Sequence, residues 1–237
     1  MAKELRLLLE HLRFDNHPII FVAHSYGGIV SRTYTKMYGS DAVLGLVLLD
    51  CPPLNYLENS EIAEFTERLP RILTVANGAA DLGLLRVAGI FGYYFIQITD
   101  KMYSRLGPAA SHLQQLAVDS GTIAAIASEI SGYKQSLEYL AKLDAEEFDI
   151  AVICISVSEV ARPPKSTASA EDHKLNWHKK QKELAEELNN CNGMSNTFMV
   201  DSGVHAELCV SHLVLEAIQA ILDNKIINFK VYKNKAD

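Results

Sequence analysis

The sequence predicts an α/β fold in which a mostly parallel sheet is flanked by helices and interrupted by a helical cap insertion. Three runs of apolar residues, at 18–23, 42–49 and 150–157, lack the alternation of a half-exposed strand. Such continuous runs are typical of strands that helices cover on both faces. Segments with apolar residues at helical spacing separate these strands, and this alternation favours a parallel sheet.

The remaining elements agree with this fold. Residues 2–12 place four leucines at helical spacing. Residues 29–38 have a helical pattern that ends at Gly39, a common residue just beyond a helix C-terminus. The chain continues with a polar helix, a short strand and a last helix, predicted at 170–189, 197–200 and 211–222.

The segment between the second and third strands, residues 57–149, has helical patterns and no strand pattern. We therefore expect a core made of residues 1–56 and 150–237, and a helical cap made of residues 57–149. The predicted cap helices are at 60–69, 82–103, 108–117 and 123–143.

Length and composition limit the classes of function. A chain of 237 residues, of which 49% are hydrophobic, can bury one α/β core with an insertion. Asp and Glu number 29 against 22 Lys and Arg, which gives a formal net charge of -7. Since the chain has no basic stripe, nucleic acid is not an expected partner.

The N-terminus and the cysteines indicate a reducing compartment. The first ten residues are charged and helix-like, without the apolar stretch of a signal peptide, so a cytoplasmic location is expected. The four cysteines are widely spaced and form no CxxC pair, so we expect free thiols and no metal site. The apolar run 82–98 contains Arg86 and is shorter than the roughly 20 residues of a membrane span, which favours a buried or lid helix.

The most informative segment is the turn after the first strand, Ala-His-Ser-Tyr-Gly-Gly at 23–28. Strand, sharp turn and helix follow one another with Ser25 at the apex, as in the G-x-S-x-G turn that exposes a reactive serine above a sheet. Ala23 replaces the first glycine and is still small enough for strand and helix to approach closely, and Gly27 holds the second position. Ser25 is therefore the candidate nucleophile; the alternative is a serine in an ordinary turn.

A serine nucleophile needs a base, which is nearly always a histidine held by a carboxylate. His205 follows the short strand and precedes the last helix, so it lies in a loop at the carboxyl end of a strand. Parallel sheets place their working groups there, and His205 is the candidate base. His24 is expected to pack or hydrogen-bond below the turn, and His212 to be structural or to face solvent.

Two carboxylates could orient His205. Asp50 ends the strand after the nucleophile strand, and Glu159 lies just past the third apolar strand. Both positions face the same crevice in a parallel sheet. Asp50 could instead shape the turn before Cys51, and Glu159 could be a solvated loop residue. We prefer Asp50 as the acid and keep Glu159 as the alternative.

Stabilising the oxyanion of an acyl-transfer reaction requires backbone N–H donors. The residue after the nucleophile, Tyr26, is expected to supply one of them, since it lies at a helix N-terminus where the helix dipole also favours negative charge. The other donor normally comes from a loop earlier in the chain.

These motifs resemble those of the α/β-hydrolase superfamily. AHSYGG at 23–28 resembles the family's G-H-S-x-G-G, and GLVLLD at 45–50 resembles the strand that follows it. The segment that begins at Trp177 resembles its W-x-x-x-Q-x-x-L-A helix, and SGVHAELCVSHLVLEAI at 202–218 resembles its ending. The resemblance implies a partial α/β-hydrolase fold and a cap-bearing serine hydrolase or esterase that needs no metal or organic cofactor.

One departure from the family pattern concerns the start of the chain. Such proteins carry four strands and a helix before the nucleophile strand, including the loop with the second oxyanion donor, whereas one helix precedes it here. We therefore expect an N-terminally truncated form in which residues 18–23 are an exposed sheet edge. A homodimer through this edge, or weak catalysis, would follow.

Together, these residues predict a serine hydrolase that cleaves an ester or a related acyl bond. The apolar residues of the predicted cap favour a small-molecule substrate with an apolar acyl group. Two alternatives stay open. One is an acyltransferase with the same triad, and the other is a catalytically impaired, truncated hydrolase-like protein that acts as a binding module.

Overall fold

The structure is a computed structural model of the 237-residue chain. It describes residues 1–15, 17–39, 43–58, 60–90, 107–108, 112, 115–116, 118–143, 150–159, 170–189 and 197–223.

Within these residues, four strands form one sheet in the order β1-β2-β3-β4, and each neighbouring pair is parallel. The observed arrangement, with helices on the sheet, confirms the predicted α/β class. The strands are β1 (Ile19–His24), β2 (Val43–Leu49), β3 (Ala151–Glu159) and β4 (Thr197–Val204).

The described helices follow the chain order of the predicted ones. They are α1 (Ala2–His11), α2 (Gly27–Tyr38), α3 (Ser60–Asp81), α4 (Leu84–Ile90), α5 (Ser120–Ser131), α6 (Tyr133–Leu143), α7 (Ala170–Asn189) and α8 (His212–Leu222). Short 3₁₀ helices cover Leu54–Glu58 and His205–Val210.

The sheet is buried on both faces, which accounts for the uninterrupted apolar runs of β2 and β3. On one face, Leu46 and Leu48 of β2 share a core cluster with residues of α1, α2 and α7. On the other face, Val47 and Leu49 share a cluster with residues of α8. Because successive side chains of a strand point to opposite faces, a strand covered on both faces is rich in apolar residues along its whole length.

Two helix boundaries differ from the sequence prediction. The helix predicted to end at residue 69 continues through Pro70 to Asp81, and Leu73 and Ala80 beyond the proline pack against Ile123. This burial outweighs the backbone hydrogen bond that a proline cannot donate. The single helix predicted at 123–143 is broken at Gly132, the C-cap of α5, where glycine's low helix propensity favours an end.

Of the other predicted cap helices, α4 accounts for part of 82–103. Residues 91–106 and most of 108–117 lie outside the described residues.

The contacts divide the chain into two compact units. The first, Met1–Tyr56 with Ser136–Asp237, contains the sheet. The second, Leu57–Gln135, is helical where it is described, and its own core includes Leu73, Ala80 and Ile123. Its role as a cap stays a prediction.

Among the described strands, β1 pairs only with β2 and forms an edge of the sheet. Val22 in β1 is 43% exposed. A homodimer through this edge stays a prediction. No helix in the described ranges has both the length and the hydropathy to cross a membrane.

Candidate active site

The three predicted catalytic residues lie at the carboxyl ends of parallel strands. Ser25 follows β1, Asp50 follows β2, and His205 follows β4. Because His24 pairs with Leu49 in the sheet, Ser25 and Asp50 are the next residues of two neighbouring strands. The Ser25 N–H donates to the Leu49 carbonyl oxygen across 2.9 Å, which holds the serine turn beside the end of β2.

The backbone is strained at both of these positions. In the described chain, three residues other than glycine have a positive φ: Arg13, Ser25 at 51° and Asp50 at 49°. L-residues adopt this left-handed region at a cost, and such strain is concentrated at functional sites. At Ser25, it agrees with the sharp strand-to-helix turn that the sequence predicted.

The close approach that the turn requires is found at Gly28. A Cβ atom on Gly28 would overlap the Cys51 Sγ atom and lie 2.6 Å from the Cys51 Cβ atom. A Cβ atom on Gly27 would meet only the Ala23 Cβ atom, at 3.9 Å, which is ordinary contact. The packing limit at the start of α2 is therefore stricter at Gly28 than at Gly27, the glycine of the sequence motif.

Asp50 and His205 are in direct contact. The His205 Nδ1 atom lies 2.6 Å from the Asp50 Oδ2 atom. The Asp50 side chain is 4% exposed, whereas the His205 side chain is 41% exposed. A buried carboxylate thus holds the Nδ1 atom of an imidazole that is itself partly exposed.

This contact assigns the tautomer of His205. A carboxylate oxygen accepts hydrogen bonds, so Nδ1 is assigned the proton. The Nε2 atom of a neutral His205 is then an acceptor, which is the form that a general base requires.

The second oxygen of the Asp50 carboxylate accepts two further hydrogen bonds. The Ser156 hydroxyl donates to Oδ1 across 2.9 Å, and the Trp177 indole N–H donates to the same atom across 2.7 Å. The Asp50 backbone N–H donates to the Ile155 carbonyl oxygen across 2.7 Å. Asp50 is therefore fixed from β3 and α7 as well as by His205.

His24 contacts His205, the candidate base, directly. Its Nε2 atom lies 2.8 Å from the His205 carbonyl oxygen, and the two ring centroids are 4.3 Å apart. Since a carbonyl accepts, the Nε2 atom of His24 is assigned a proton and donates. Burial lowers the pKa of His24, and the charge of protonated His205 lowers it further, so His24 is disposed to remain neutral beside the base.

The alternative acid, Glu159, ends β3, where its backbone pairs with Val204. Its carboxylate lies outside the described side chains. Asp50 is thus the candidate acid with a described contact to His205.

Tyr26, the predicted oxyanion donor, is the N-cap residue of α2. Its backbone N–H directly follows Ser25, at the positive end of the helix dipole. Its hydroxyl lies 2.9 Å from the Ser136 hydroxyl on α6, so its side chain ties the serine turn to that helix.

Among the described residues, no group of three or more His, Cys, Asp and Glu side chains could hold a metal ion.

The sequence did not indicate that Ser156 and Trp177 meet Asp50, or that His24 meets the His205 carbonyl. In the sequence, Trp177 belongs to the helix motif that resembles the family's W-x-x-x-Q-x-x-L-A. The available signal is that Trp177 and Gln181, the W and the Q of this motif, are four residues apart. Such residues share one face of a helix and can contact the same neighbouring segment. Ser156 and His24 give no comparable signal, because no pattern in the sequence links either residue to its partner.

The sequence matches no protein-family model and no curated protein. The structure is similar to a thermophilic esterase from Thermogutta terrifontis, with a TM-score of 0.58 and 16% identity over 94% of this chain and 71% of that one. It is also similar to a bromoperoxidase from Bacillus anthracis, with a TM-score of 0.56 and 17% identity over 94% and 72% of the two chains.

A third similar structure is a proposed acyltransferase from Salmonella enterica, with a TM-score of 0.57 and 16% identity over 94% of this chain and 69% of that one. At these identities, the likeness establishes the fold. The chain has the α/β-hydrolase fold, as its sequence motifs implied.

Proposed function

We propose that this protein is a serine hydrolase that cleaves an ester or a related acyl bond. The observation that carries the proposal is the Asp50–His205 contact of 2.6 Å beside the strained turn of Ser25. The fold similarity to esterases agrees with this chemistry. Fold alone does not define an activity, so the proposal depends on the site.

The mechanism follows from the assigned roles. The Ser25 Oγ atom attacks the acyl carbon while His205 Nε2 takes the serine proton, and His205 then gives that proton to the leaving group. Asp50 holds the Nδ1–H group and stabilises the imidazolium that forms. The Tyr26 N–H donates to the developing oxyanion. Water then attacks the acyl-enzyme with His205 again acting as the base, which releases the acid and restores Ser25.

We propose a substrate with an apolar acyl group. The helical unit 57–135 exposes apolar side chains in its described part, including Val75 at 75% and Leu82 at 77%. As a cap, such a surface would suit an alkyl chain better than a charged one. Hydrolysis rates that rise with acyl length across a series of p-nitrophenyl esters would agree; a preference for short, charged acyl groups would contradict it.

An acyltransferase with the same residues is the second candidate. The structural similarity to a proposed acyltransferase favours keeping it. Turnover of an ester in the presence of a competing alcohol or amine separates the two, because a hydrolase releases mainly the free acid and a transferase releases mainly the transfer product.

The hydrolase proposal is tested by steady-state turnover of p-nitrophenyl esters. Ser25→Ala should reduce kcat to background, and Asp50→Asn should reduce kcat by roughly 10⁴-fold because the imidazole loses its proper tautomer. Ser131→Ala is a matched control, since Ser131 is an exposed helix residue that bonds only its own helix in the described contacts. Equal rates for Ser25→Ala and the control would overturn the proposal.

A further inference from the structure

Helix α7 presents two polar side chains to the segment that follows β2. Trp177 donates to the Asp50 carboxylate, and Gln181 donates through Nε2 to the Cys51 carbonyl oxygen across 2.6 Å. The two residues are four apart and lie on one face of the helix. Leu184 and Ala185, one turn further on, are fully buried in the core against the sheet. The helix is thus packed against the sheet by apolar residues and bonded to the Asp50–Cys51 segment by polar ones.

The two oxygens of the Asp50 carboxylate have different hydrogen-bond partners. Oδ2 faces His205, and Oδ1 accepts from Trp177 and Ser156. Rotating the carboxylate away from His205 would also break the bonds to Oδ1. Because the Asp50 side chain is 4% exposed, water cannot readily replace those donors. Hydrogen bonds to a charged group are also stronger than those between neutral groups.

We propose that Trp177 is a positioning residue for the triad acid, which fixes the orientation of the Asp50 carboxylate so that Oδ2 meets His205 Nδ1. The inference rests on the proposed hydrolase function for its effect on rate. The indole N–H is a donor only, so it favours the ionised form of the carboxylate. It cannot accept the Nδ1–H hydrogen bond of His205 in place of Asp50. In the described contacts, Trp177 touches no reacting atom and reaches the candidate site through Asp50.

The packing of Trp177 can be separated from its hydrogen bond. The indole ring also meets the Tyr56 ring edge to face, with centroids 5.7 Å apart and an interplanar angle of 75°. A ring of the same shape without the N–H group keeps this contact and loses the bond to Asp50. Trp177 is the only tryptophan in the chain, so an analogue supplied in place of tryptophan enters at this position alone.

The experiment compares two proteins with analogues at position 177. Benzothienylalanine has sulfur in place of the N–H group, and 5-fluorotryptophan retains the N–H group as the matched control. We expect the benzothienylalanine protein to lose about tenfold or more in kcat with KM changed less than twofold, because misorientation affects the reaction step and not substrate binding. The 5-fluorotryptophan protein should keep the kcat of the unmodified chain. Equal kcat values in the two proteins would overturn the proposal.

A second measurement does not depend on turnover. The single indole N–H gives one resonance in the NMR spectrum of ¹⁵N-labelled protein, and Asp50→Asn should move it because a charged acceptor becomes neutral. Glu216→Gln on the surface of α8 is the control and should leave it in place. An unmoved resonance in Asp50→Asn overturns the proposal. A moved resonance in a protein without Ser25-dependent turnover overturns the hydrolase function and supports Trp177 as the anchor of this carboxylate.

The substitution Trp177→Phe gives the same comparison by ordinary mutagenesis, because a phenyl ring cannot donate to Asp50. This variant should show the same loss of kcat as the benzothienylalanine protein, provided that circular dichroism shows a folded chain. A Trp177→Phe protein that is folded and retains full kcat would also contradict the proposal.

Discussion

His24 donates a hydrogen bond from its Nε2 atom to the backbone carbonyl oxygen of His205, across 2.8 Å. The bond joins the residue before the proposed nucleophile to the residue proposed as the base. It therefore couples the position of the His205 loop to the serine turn, although the two are 181 positions apart in the sequence.

Removing this donor should reduce activity through the position of His205. His24→Leu leaves the part-buried His205 carbonyl without its partner in the structure. We expect kcat/KM for an ester to fall by roughly tenfold or more. His24→Gln can still donate an N–H to the carbonyl and should retain most of the activity. Similar kinetics for the two variants would show that the hydrogen bond does not position the base.

The lowered pKa of His24 also predicts a pH dependence of stability. The unfolded chain protonates this histidine near pH 6.5, while the folded chain resists protonation because the ring is buried beside His205. The unfolded state therefore binds more protons as the pH falls through this range, and His24 makes the folded state less stable at lower pH. Between about pH 7 and pH 5, wild type should lose more of its free energy of unfolding than His24→Gln does.

Denaturant unfolding at several pH values measures this difference. His212→Gln is the matched control, because His212 is an exposed residue of α8 beside Glu216. If the free energies of unfolding of wild type and His24→Gln fall in parallel with pH, protonation of His24 does not contribute to the pH dependence of stability.

The glycines at the start of α2 should respond unequally to substitution. Gly28→Ala forces a Cβ atom into Cys51, and we expect a loss of about 1–3 kcal/mol in the free energy of unfolding. Gly27→Ala adds a Cβ atom that makes only ordinary contact with Ala23, so it should cost much less. Adding Cys51→Gly to Gly28→Ala should recover part of the loss. Equal destabilisation by the two alanine substitutions would contradict the packing described for this turn.

The buried thiols should be chemically protected in the folded protein. Burial raises the pKa of Cys154 to about 12 and the pKa of Cys51 well above its usual value, so neither forms a thiolate near neutral pH. Of the three described cysteines, Cys209 is exposed on the 3₁₀ helix after β4 and should react first with a thiol reagent. Mass spectrometry of modified peptides at about pH 7.5, before and after denaturation, checks this order; rapid modification of Cys51 or Cys154 in the folded protein would contradict it.

The sequence predicted the fold well because its signals were local. Apolar runs such as 42–49 and 150–157 need cover on both faces, and the observed β2 and β3 have it. Helix ends were less predictable, since α3 passes through Pro70 only because residues distant in the sequence pack on its far half. Local helix propensity does not include the stability gained from packing against residues distant in the sequence.

The candidate site was predictable to a similar degree. Ser25, Asp50 and His205 each follow a strand, and parallel strands bring their carboxyl ends together. The sequence favours Asp50 over Glu159 as the acid but keeps Glu159 as an alternative, because both satisfy that rule. The hydrogen bonds of Trp177 and Ser156 to Asp50 depend on packing between α7, β3 and β2, which no short motif encodes.

Covalent labelling by a fluorophosphonate tests the central claim most directly, because such a probe reacts with a serine only when a neighbouring base activates it. Mass spectrometry of the digested adduct should find the phosphonyl group on the peptide that contains Ser25. Labelling should disappear in Ser25→Ala and slow strongly in His205→Gln. A well-folded chain that stays unlabelled, or that carries the adduct on another serine at the same rate in His205→Gln, would contradict the account.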